Sequence, residues 1–153
     1  MEISVVVPLY NEQESLPELM AWIDKVLSER EYEVIFVDDG SRDESWNVIS
    51  DLYSKYSRKV KAIRLARNYG KSGGLQKGFE AASGKVVFTM DADLQDSPDE
   101  LLAMEKMLND EKLDLVSGWK KERHDPISKT IPTKIYNWIT RRVSWIYLHD
   151  FNC

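Results

Sequence analysis

Residues 3–12 read ISVVVPLYNE, a β-branched run followed directly by polar side chains. Ile3–Val7 has the composition of a buried strand, and we predict that Pro8 ends it. Four more strands are predicted from similar runs at residues 33–37, 60–65, 85–90 and 113–117. Amphipathic stretches separate most of these runs, and this alternation predicts an α/β fold in which helices flank a mostly parallel sheet.

Five amphipathic stretches are predicted to form helices, because their apolar residues recur at helical spacing. They cover residues 15–27, 45–56, 73–82, 98–109 and 128–147. Ser15 is the candidate N-cap of the first helix, and Pro98 opens the fourth, where a proline is well tolerated. No internal repeat and no linker divides the sequence, so we expect one domain over residues 1–153.

The composition excludes several classes of protein. Cys153 is the only cysteine, which rules out an intrachain disulfide and suits a reducing compartment. No run of 18 apolar residues could span a membrane, and the first residues turn polar too early for a signal peptide. The net charge of −5, from 21 basic and 26 acidic residues, argues against a nucleic-acid partner. We therefore expect a soluble globular chain.

Positive charge is concentrated near the C-terminal end of the sequence. Residues 118–142 contain seven Lys or Arg and two acids, which suits an anionic ligand or surface; a solvated helix face is the alternative. Trp138 and Trp145 accompany Arg141 and Arg142 in the predicted helix 128–147. Aromatic residues beside basic ones suit the headgroup region of an anionic membrane, although a core-packing helix would show the same pattern.

Polar clusters follow four of the predicted strands, at residues 8–12, 38–41, 66–71 and 91–96. Ligands of open parallel sheets bind beyond the carboxyl ends of the strands, so we expect these clusters to converge on one crevice. Asp39 would there accept hydrogen bonds from ribose hydroxyls or a base N–H, or alternatively cap a turn. Lys71 is a candidate for phosphate contact, but the first glycine of a P-loop would fall at Leu65.

Asp91, Asp93 and Gln95 alternate along the chain, which in an extended segment puts their side chains on one side. Oxygen ligands of this kind favour Mg²⁺ or Mn²⁺. An EF-hand is excluded, because Asp96 and Leu102 stand where that loop needs Gly and Glu. The alternative is that the acids cap the helix that follows.

Five motifs in this order resemble those of family 2 glycosyltransferases, and most closely those of polyprenyl-phosphate sugar transferases such as dolichyl-phosphate mannose synthases and bactoprenol glucosyltransferases. They are PLYNE at 8–12, DDGS at 38–41, RNYGK at 67–71, DADLQDSP at 91–98 and HDFNC at 149–153. The resemblance covers nearly the whole chain. It implies a GT-A fold with a Rossmann-like sheet, and a metal-dependent, inverting enzyme that uses Mg²⁺ or Mn²⁺. The donor would be UDP- or GDP-hexose and the acceptor a polyprenyl phosphate.

The resemblance also implies roles for single residues. Those expected to bind the nucleotide sugar are Pro8, Tyr10, Glu12, Asp39 and Asp91, to which the position of Lys71 before the predicted third helix adds that residue. Asp91, Asp93 and Gln95 would hold the metal, and Asp93 and Asp150 are the expected catalytic residues. Because the family's Gly-x-Arg reads Gly118-Trp119-Lys120 here, the phosphate-binding cation is left open among Lys120, Arg123 and Lys134.

Asp150 would act as a base or orient the acceptor, since a phosphate acceptor is already largely ionised at neutral pH; a structural role in its loop is the alternative. Two other functions remain open, namely transfer to a polysaccharide or other saccharide, and nucleotide binding without catalysis. We further expect the chain to be the catalytic part of a longer, membrane-attached cell-envelope protein. The longer protein is expected because the sequence ends inside the motif at 149–153, and this catalytic part would lie on the cytoplasmic face.

Overall fold

The structure, a computed structural model, describes residues 1–118. The chain divides into two compact units, Met1–Glu105 and Lys106–Cys153, so the expected single domain over residues 1–153 stays a prediction. In chain order the elements are β1 (Ile3–Leu9), α1 (Leu16–Val26), β2 (Tyr32–Asp38), α2 (Ser45–Lys55), β3 (Val60–Arg64), α3 (Lys71–Ala81), β4 (Val86–Thr89), a 3₁₀ turn (Pro98–Glu100) and α4 (Leu101–Asp110). The first four predicted strands and the first four predicted helices are confirmed.

Within the described residues, one sheet of four parallel strands has the order β3-β2-β1-β4. The predicted α/β class with helices around a parallel sheet is therefore confirmed. After β3 the chain returns past β2 and β1 to add β4 on the far side of β1. The strand order thus reverses between β1 and β4, and a crevice opens at such a point in parallel sheets.

The two faces of the sheet are covered by different helices, because alternate residues of each strand point to opposite sides. Val5 and Val7 belong to the larger core cluster, which α1 and α2 complete with residues such as Ile23 and Ile49. Val6 belongs to the opposite cluster, together with Ile35, Val37 and Leu75 of α3. Burial on both faces explains why β1 and β2 are apolar along nearly their whole length.

Helix α3 lies very close to β1, and Gly78 permits that approach. A Cβ atom at this position would lie 2.2 Å from Val6 Cγ1, much nearer than atoms in contact can be. The missing side chain therefore sets how closely α3 packs on the sheet, and with it the position of the N-terminus of α3 at the sheet edge.

The prediction that Pro8 ends β1 is wrong, since the strand continues to Leu9. The Val6 carbonyl accepts from Met90 N–H, so Val6 and Pro8 turn their backbone polar groups toward β4. Pairing with β4 ends at Val6, opposite Thr89. The missing N–H of Pro8 therefore lies on the side of β4, where pairing has ended, while pairing with β2 continues to Leu9.

The predicted strand at residues 113–117 is also wrong. The Leu113 N–H closes the end of α4 by donating to the Leu108 carbonyl at 2.9 Å, and Leu115 is 80% exposed. A strand would need that backbone for pairing and that side chain for burial. The predicted helix at 128–147 lies outside the described residues. Among the helices that the structure describes, none combines the length and the apolar composition needed to cross a membrane.

Candidate active site at the carboxyl edge of the sheet

The loops after all four strands meet at the carboxyl edge of the sheet and line an open cavity of about 300 Å³. Its walls are formed by Pro8, Leu9, Tyr10, Glu12, Asp39, Asn68, Gly70, Lys71, Asp91, Ala92 and Asp93. The volume is at the lower end of the range for small-molecule sites. The cavity thus occupies the crevice that the reversal of strand order creates, as expected from the polar clusters of the sequence.

Most of the predicted site residues lie together in this cavity: Pro8, Tyr10, Glu12, Asp39, Lys71, Asp91 and Asp93. Gln95 is not among the lining residues. Lys120, Arg123, Lys134 and Asp150 lie outside the described residues, so their roles stay predictions. The structure therefore brings the first set into one place.

The loop after β1 carries Tyr10 and Glu12 into the cavity on either side of Asn11. Asn11 has a φ of 58°, in the left-handed region that asparagine tolerates better than most residues. Its N–H donates to Ser41 Oγ at 2.9 Å, and its Oδ1 accepts from Arg42 N–H at 2.9 Å. The β1 loop is therefore hydrogen-bonded to the β2 loop directly beside the cavity.

Asp39 is nearly fully buried and joins the β2 loop to the segment before α3. Its Oδ1 accepts from Tyr69 N–H and its Oδ2 from Gly70 N–H, both at 2.8 Å. Gly40, with a φ of 74°, lies so near the Arg67 backbone that a Cβ would be 2.7 Å from its carbonyl carbon. Asp39 thus fixes Gly70 at the cavity wall, and each carboxylate oxygen retains a lone pair that these two bonds do not use.

The adjacent carboxylate, Asp38, is fully buried under the same turn. Its Oδ1 accepts from Ser41 N–H at 2.8 Å, which fixes the turn that follows β2. Its Oδ2 has no hydrogen-bond partner, and Arg64 Nε lies 3.6 Å away. The attraction of the arginine compensates part of the cost of this buried charge.

Lys71 is the first residue of α3, which begins two residues before the predicted start. Gly70 precedes it with a φ of 83°, so the chain turns sharply into the helix at the cavity wall. Lys71 Nζ contacts the Asp91 carboxylate in the loop after β4, at 2.6 Å from Oδ1 and 2.9 Å from Oδ2. The ion pair lies inside the cavity lining and joins the first turn of α3 to the β4 loop.

Residues 91–95 are not extended, so the expected one-sided alternation of Asp91, Asp93 and Gln95 is wrong. Residues 92 and 93 form a turn, and Leu94 has a φ of 61°. Asp93 Oδ1 accepts from Gln95 N–H at 3.1 Å and so stabilises that turn. Asp91 and Asp93 reach the cavity, whereas Gln95 lies beyond the turn; metal binding by the three residues stays a prediction.

The charge of the cavity lining is strongly negative. Four carboxylates, from Glu12, Asp39, Asp91 and Asp93, face one ammonium group, that of Lys71, among the described lining residues. A lining of this kind attracts cations, and it would repel a phosphate group that carries no bound cation. The donor set consists of hard oxygen ligands, which suits Mg²⁺ or Mn²⁺.

Four lining residues were not among the predicted site residues: Leu9, Asn68, Gly70 and Ala92. Asn68 and Gly70 belong to the polar cluster after β3, and Asn68 Oδ1 accepts from Gly70 N–H at 3.0 Å. Their position in that cluster was the available signal. Leu9 and Ala92 also lie within the clusters at 8–12 and 91–96, but as apolar residues they carried no chemical signal of their own.

The chain matches a known protein family along nearly its whole length. Residues 4–150 match the family described as glycosyl transferase family 2. An undecaprenyl-phosphate 4-deoxy-4-formamido-L-arabinose transferase of Pseudomonas fluorescens is 36% identical over 155 residues, which cover 99% of this chain and 45% of the relative. The chain therefore spans less than half the length of this curated relative.

Two solved structures share the fold. A mannosyltransferase of Pyrobaculum calidifontis, PcManGT, in complex with GDP-Man and Mn²⁺, has a TM-score of 0.60 and 26% identity over 70% of this chain and 32% of its own. TarS 1–349 of S. aureus in complex with UDP has a TM-score of 0.61 and 25% identity over 84% of this chain and 39% of its own.

Proposed function

The chain belongs to glycosyl transferase family 2, and on that basis we propose that it binds a nucleotide-diphosphate sugar and transfers the sugar, with inversion, to a polyprenyl phosphate. The GT-A fold implied by the sequence motifs is confirmed by its structural neighbours. Relatives named as undecaprenyl-phosphate sugar transferases support the acceptor class. One observation carries the proposal: the matched motifs after the strands converge on a single acidic cavity at the switch point of the sheet.

One part of the cavity lining, formed by Pro8, Tyr10, Glu12 and Asp39, suits the nucleoside of the donor. Pro8 and the half-exposed ring of Tyr10 offer apolar surface for a base, and Glu12 lies beside them. Asp39 offers carboxylate oxygens to base N–H or ribose hydroxyl groups, while its two backbone hydrogen bonds keep it in place. This arrangement supports the roles that we propose for these four residues.

The lining residues fit a divalent cation by charge and by ligand type, since Asp91 and Asp93 bring carboxylates to the same cavity. A bound Mg²⁺ or Mn²⁺ would stabilise the charge that develops on the departing diphosphate. Without added positive charge the acidic lining would oppose diphosphate binding. The neighbour PcManGT was solved in complex with GDP-Man and Mn²⁺, which supports a divalent metal here.

Further positive charge is proposed to come from outside the described residues. Lys120, Arg123 and Lys134 are the candidates for contact with the diphosphate, and Lys71 is the candidate among the described residues. Asp150 is proposed to act on the acceptor side, either by taking a proton or by orienting the phosphate. We also propose that the basic, aromatic residues 128–147 contact the cytoplasmic face of a membrane, where a polyprenyl phosphate would be found.

The experiment that tests this function is calorimetric titration of the 153-residue chain with UDP and with GDP. We expect one of the two nucleotides to bind at least tenfold more tightly in Mn²⁺ than in excess chelator, because the metal offsets the acidic lining. Asp93→Ala should remove that difference. Asp51→Ala, at an exposed position on α2, is the matched control and should retain it.

Two results would contradict the proposal. Equal affinities in Mn²⁺ and in chelator would exclude a metal-dependent donor site, and failure to bind either nucleotide would exclude the donor class altogether. The acceptor is tested separately, by measuring the turnover of UDP- and GDP-hexoses with undecaprenyl phosphate present and absent. Donor binding without any lipid-dependent turnover would leave a nucleotide-binding role alone.

A further inference from the structure

The loops that follow β1 and β2 are joined by hydrogen bonds that run in both directions. Asn11 N–H donates to Ser41 Oγ at 2.9 Å, and Arg42 N–H donates back to Asn11 Oδ1 at 2.9 Å. The next residue continues the connection, since Glu12 N–H donates to Ser45 Oγ at 2.9 Å. The first two bonds pair a backbone group of one loop with a side chain of the other, and the third ends on Ser45, the first residue of α2. The β1 loop therefore cannot shift without breaking several bonds.

These bonds lie directly behind the cavity wall. Tyr10 and Glu12, the neighbours of Asn11, both line the cavity, and Asp39 lines it two residues before Ser41. Ser41 is itself nearly buried, and its N–H donates to Asp38 Oδ1 at 2.8 Å at the end of β2. Ser41 therefore connects the β1 loop to Asp38, the last residue of β2.

Asparagine combines two properties that this position needs. Its φ of 58° is in the left-handed region, where alanine and most other residues are strained and glycine is not. Its short amide also supplies the acceptor for Arg42 N–H. Glycine would satisfy only the first need and aspartate would satisfy both, which makes the two functions of Asn11 separable by substitution.

We propose that Asn11 is a positioning residue for nucleotide binding, which holds Tyr10 and Glu12 in register with Asp39 through its bonds to Ser41 and Arg42. The inference rests on the proposed function, because it assumes that the cavity receives a nucleotide. It assigns to Asn11 no contact with the ligand. The side chain acts by keeping two walls of the cavity at a fixed separation before the ligand arrives, which lowers the ordering cost of binding.

The decisive variant is Asn11→Gly in the 153-residue chain, titrated with UDP and GDP in the presence of Mn²⁺. Glycine accommodates the left-handed backbone, so we expect the urea midpoint to stay close to that of the unsubstituted chain. The acceptor for Arg42 N–H is lost, so affinity for the nucleotide that binds should fall about tenfold. A purely structural role for Asn11 would not separate these two measurements.

Two further variants complete the test. Asn11→Asp keeps the oxygen acceptor, and at moderate salt we expect its affinity to stay within about threefold of the unsubstituted chain. Asp51→Ala, at an exposed position on α2, is the control and should change neither affinity nor stability appreciably. A variant at Ser41, Ser41→Ala, should weaken binding in the same direction as Asn11→Gly, because it removes the acceptor for Asn11 N–H.

The outcomes are distinguishable. If the unsubstituted chain binds a nucleotide and Asn11→Gly binds it equally well, the positioning role is wrong and the proposed function stands. If Asn11→Asp loses as much affinity as Asn11→Gly even at high salt, where its added charge is screened, the oxygen acceptor is not what positions the loop, and the inference is again wrong. If the unsubstituted chain binds neither UDP nor GDP, the proposed function and this inference fail together.

Discussion

Lys71 Nζ lies 2.6 Å from Asp91 Oδ1, so the one ammonium group among the described lining residues is paired with one of the cavity's carboxylates. Both side chains are about half exposed, and such pairs contribute little to the stability of the fold. The ion pair matters instead for metal binding in the cavity. Asp91 is a proposed ligand of a divalent cation, and Lys71 already occupies the space beside its oxygens.

A cation that binds Asp91 must therefore displace Lys71 or share the carboxylate with it. We expect Lys71→Met to raise the affinity of the nucleotide-free chain for Mn²⁺ several-fold. The substitution removes the ammonium group that competes for Asp91 and keeps an unbranched apolar side chain of similar length. Calorimetric titration with Mn²⁺ alone measures this. Lys77→Met is the control, since Lys77 pairs with Glu80 on the same helix, away from the cavity. Unchanged Mn²⁺ affinity in Lys71→Met would show that the ion pair does not compete.

The order and class of the described elements up to α4 were predictable from the sequence, because β-branched runs and helical spacing report burial directly. Ile35 and Val37 face one side of the sheet and Val34 and Phe36 the other, so β2 reads as a continuous apolar run. The two errors have one origin. Whether Pro8 breaks a strand, or residues 113–117 form one, depends on which neighbouring backbone lies beside them, and composition does not encode that neighbour.

The site was predictable in its location and less so in its geometry. The polar clusters after the strands identified Asp39, Lys71 and Asp91 because parallel strands end at one edge. The turn at residues 92–93 carries Gln95 away from the cavity lining, and the alternation of Asp91, Asp93 and Gln95 does not reveal it, because a turn and an extended segment can have the same sequence spacing. The bond between Asn11 and Ser41 joins positions 30 apart, which no local pattern reveals.

Gly78→Ala tests the close approach of α3 to β1. In an exposed helix this change stabilises by up to about 1 kcal/mol, because alanine is the better helix former. Here the new Cβ would lie 2.2 Å from Val6 Cγ1, so we expect a loss of about 1–3 kcal/mol in unfolding free energy from overpacking. Urea denaturation measures the change. Gly118→Ala, where a Cβ would meet nothing within 4 Å, is the control.

A second substitution makes the cause of that loss specific. Val6→Ala removes the atoms that the new Cβ would strike, so Gly78→Ala should cost less in the Val6→Ala background than alone. Additive losses in the double variant would mean that the helix shifts as a whole, and that Val6 is not the contact that limits it.

Membrane contact by residues 128–147 is testable without any structural detail of that segment. The 153-residue chain should pellet with vesicles that contain acidic lipid at low salt, and less at high salt, because salt screens Arg141 and Arg142. Vesicles of neutral lipid are the control. Failure to pellet with acidic vesicles at low salt would remove the surface role from this segment.

Glu33 is a buried carboxylate in β2 that is held by partners from three other segments. Ser4 Oγ donates to Glu33 Oε1 at 2.7 Å, Ser83 N–H donates to the same oxygen at 2.7 Å, and Lys61 Nζ lies 2.8 Å from Oε2. Burial alone would raise the pKa of Glu33, but the hydrogen bonds from Lys61, Ser4 and Ser83 outweigh it and lower the pKa to about 2.

The lowered pKa predicts how stability depends on pH. The ordinary value of 4.5 applies to the unfolded chain, so the unfolded state takes up the proton first as the pH falls. The stabilisation by ionised Glu33, about 3 kcal/mol, is therefore complete above pH 4.5 and is lost as the pH falls toward 2. The pKa values of Glu2 and Asp24 are also lowered, so the test compares urea unfolding of the unsubstituted chain with Glu33→Gln. The difference between the two should shrink below pH 4.5; a difference that is the same at neutral and acid pH would show that Glu33 stabilises the fold by packing rather than by its charge.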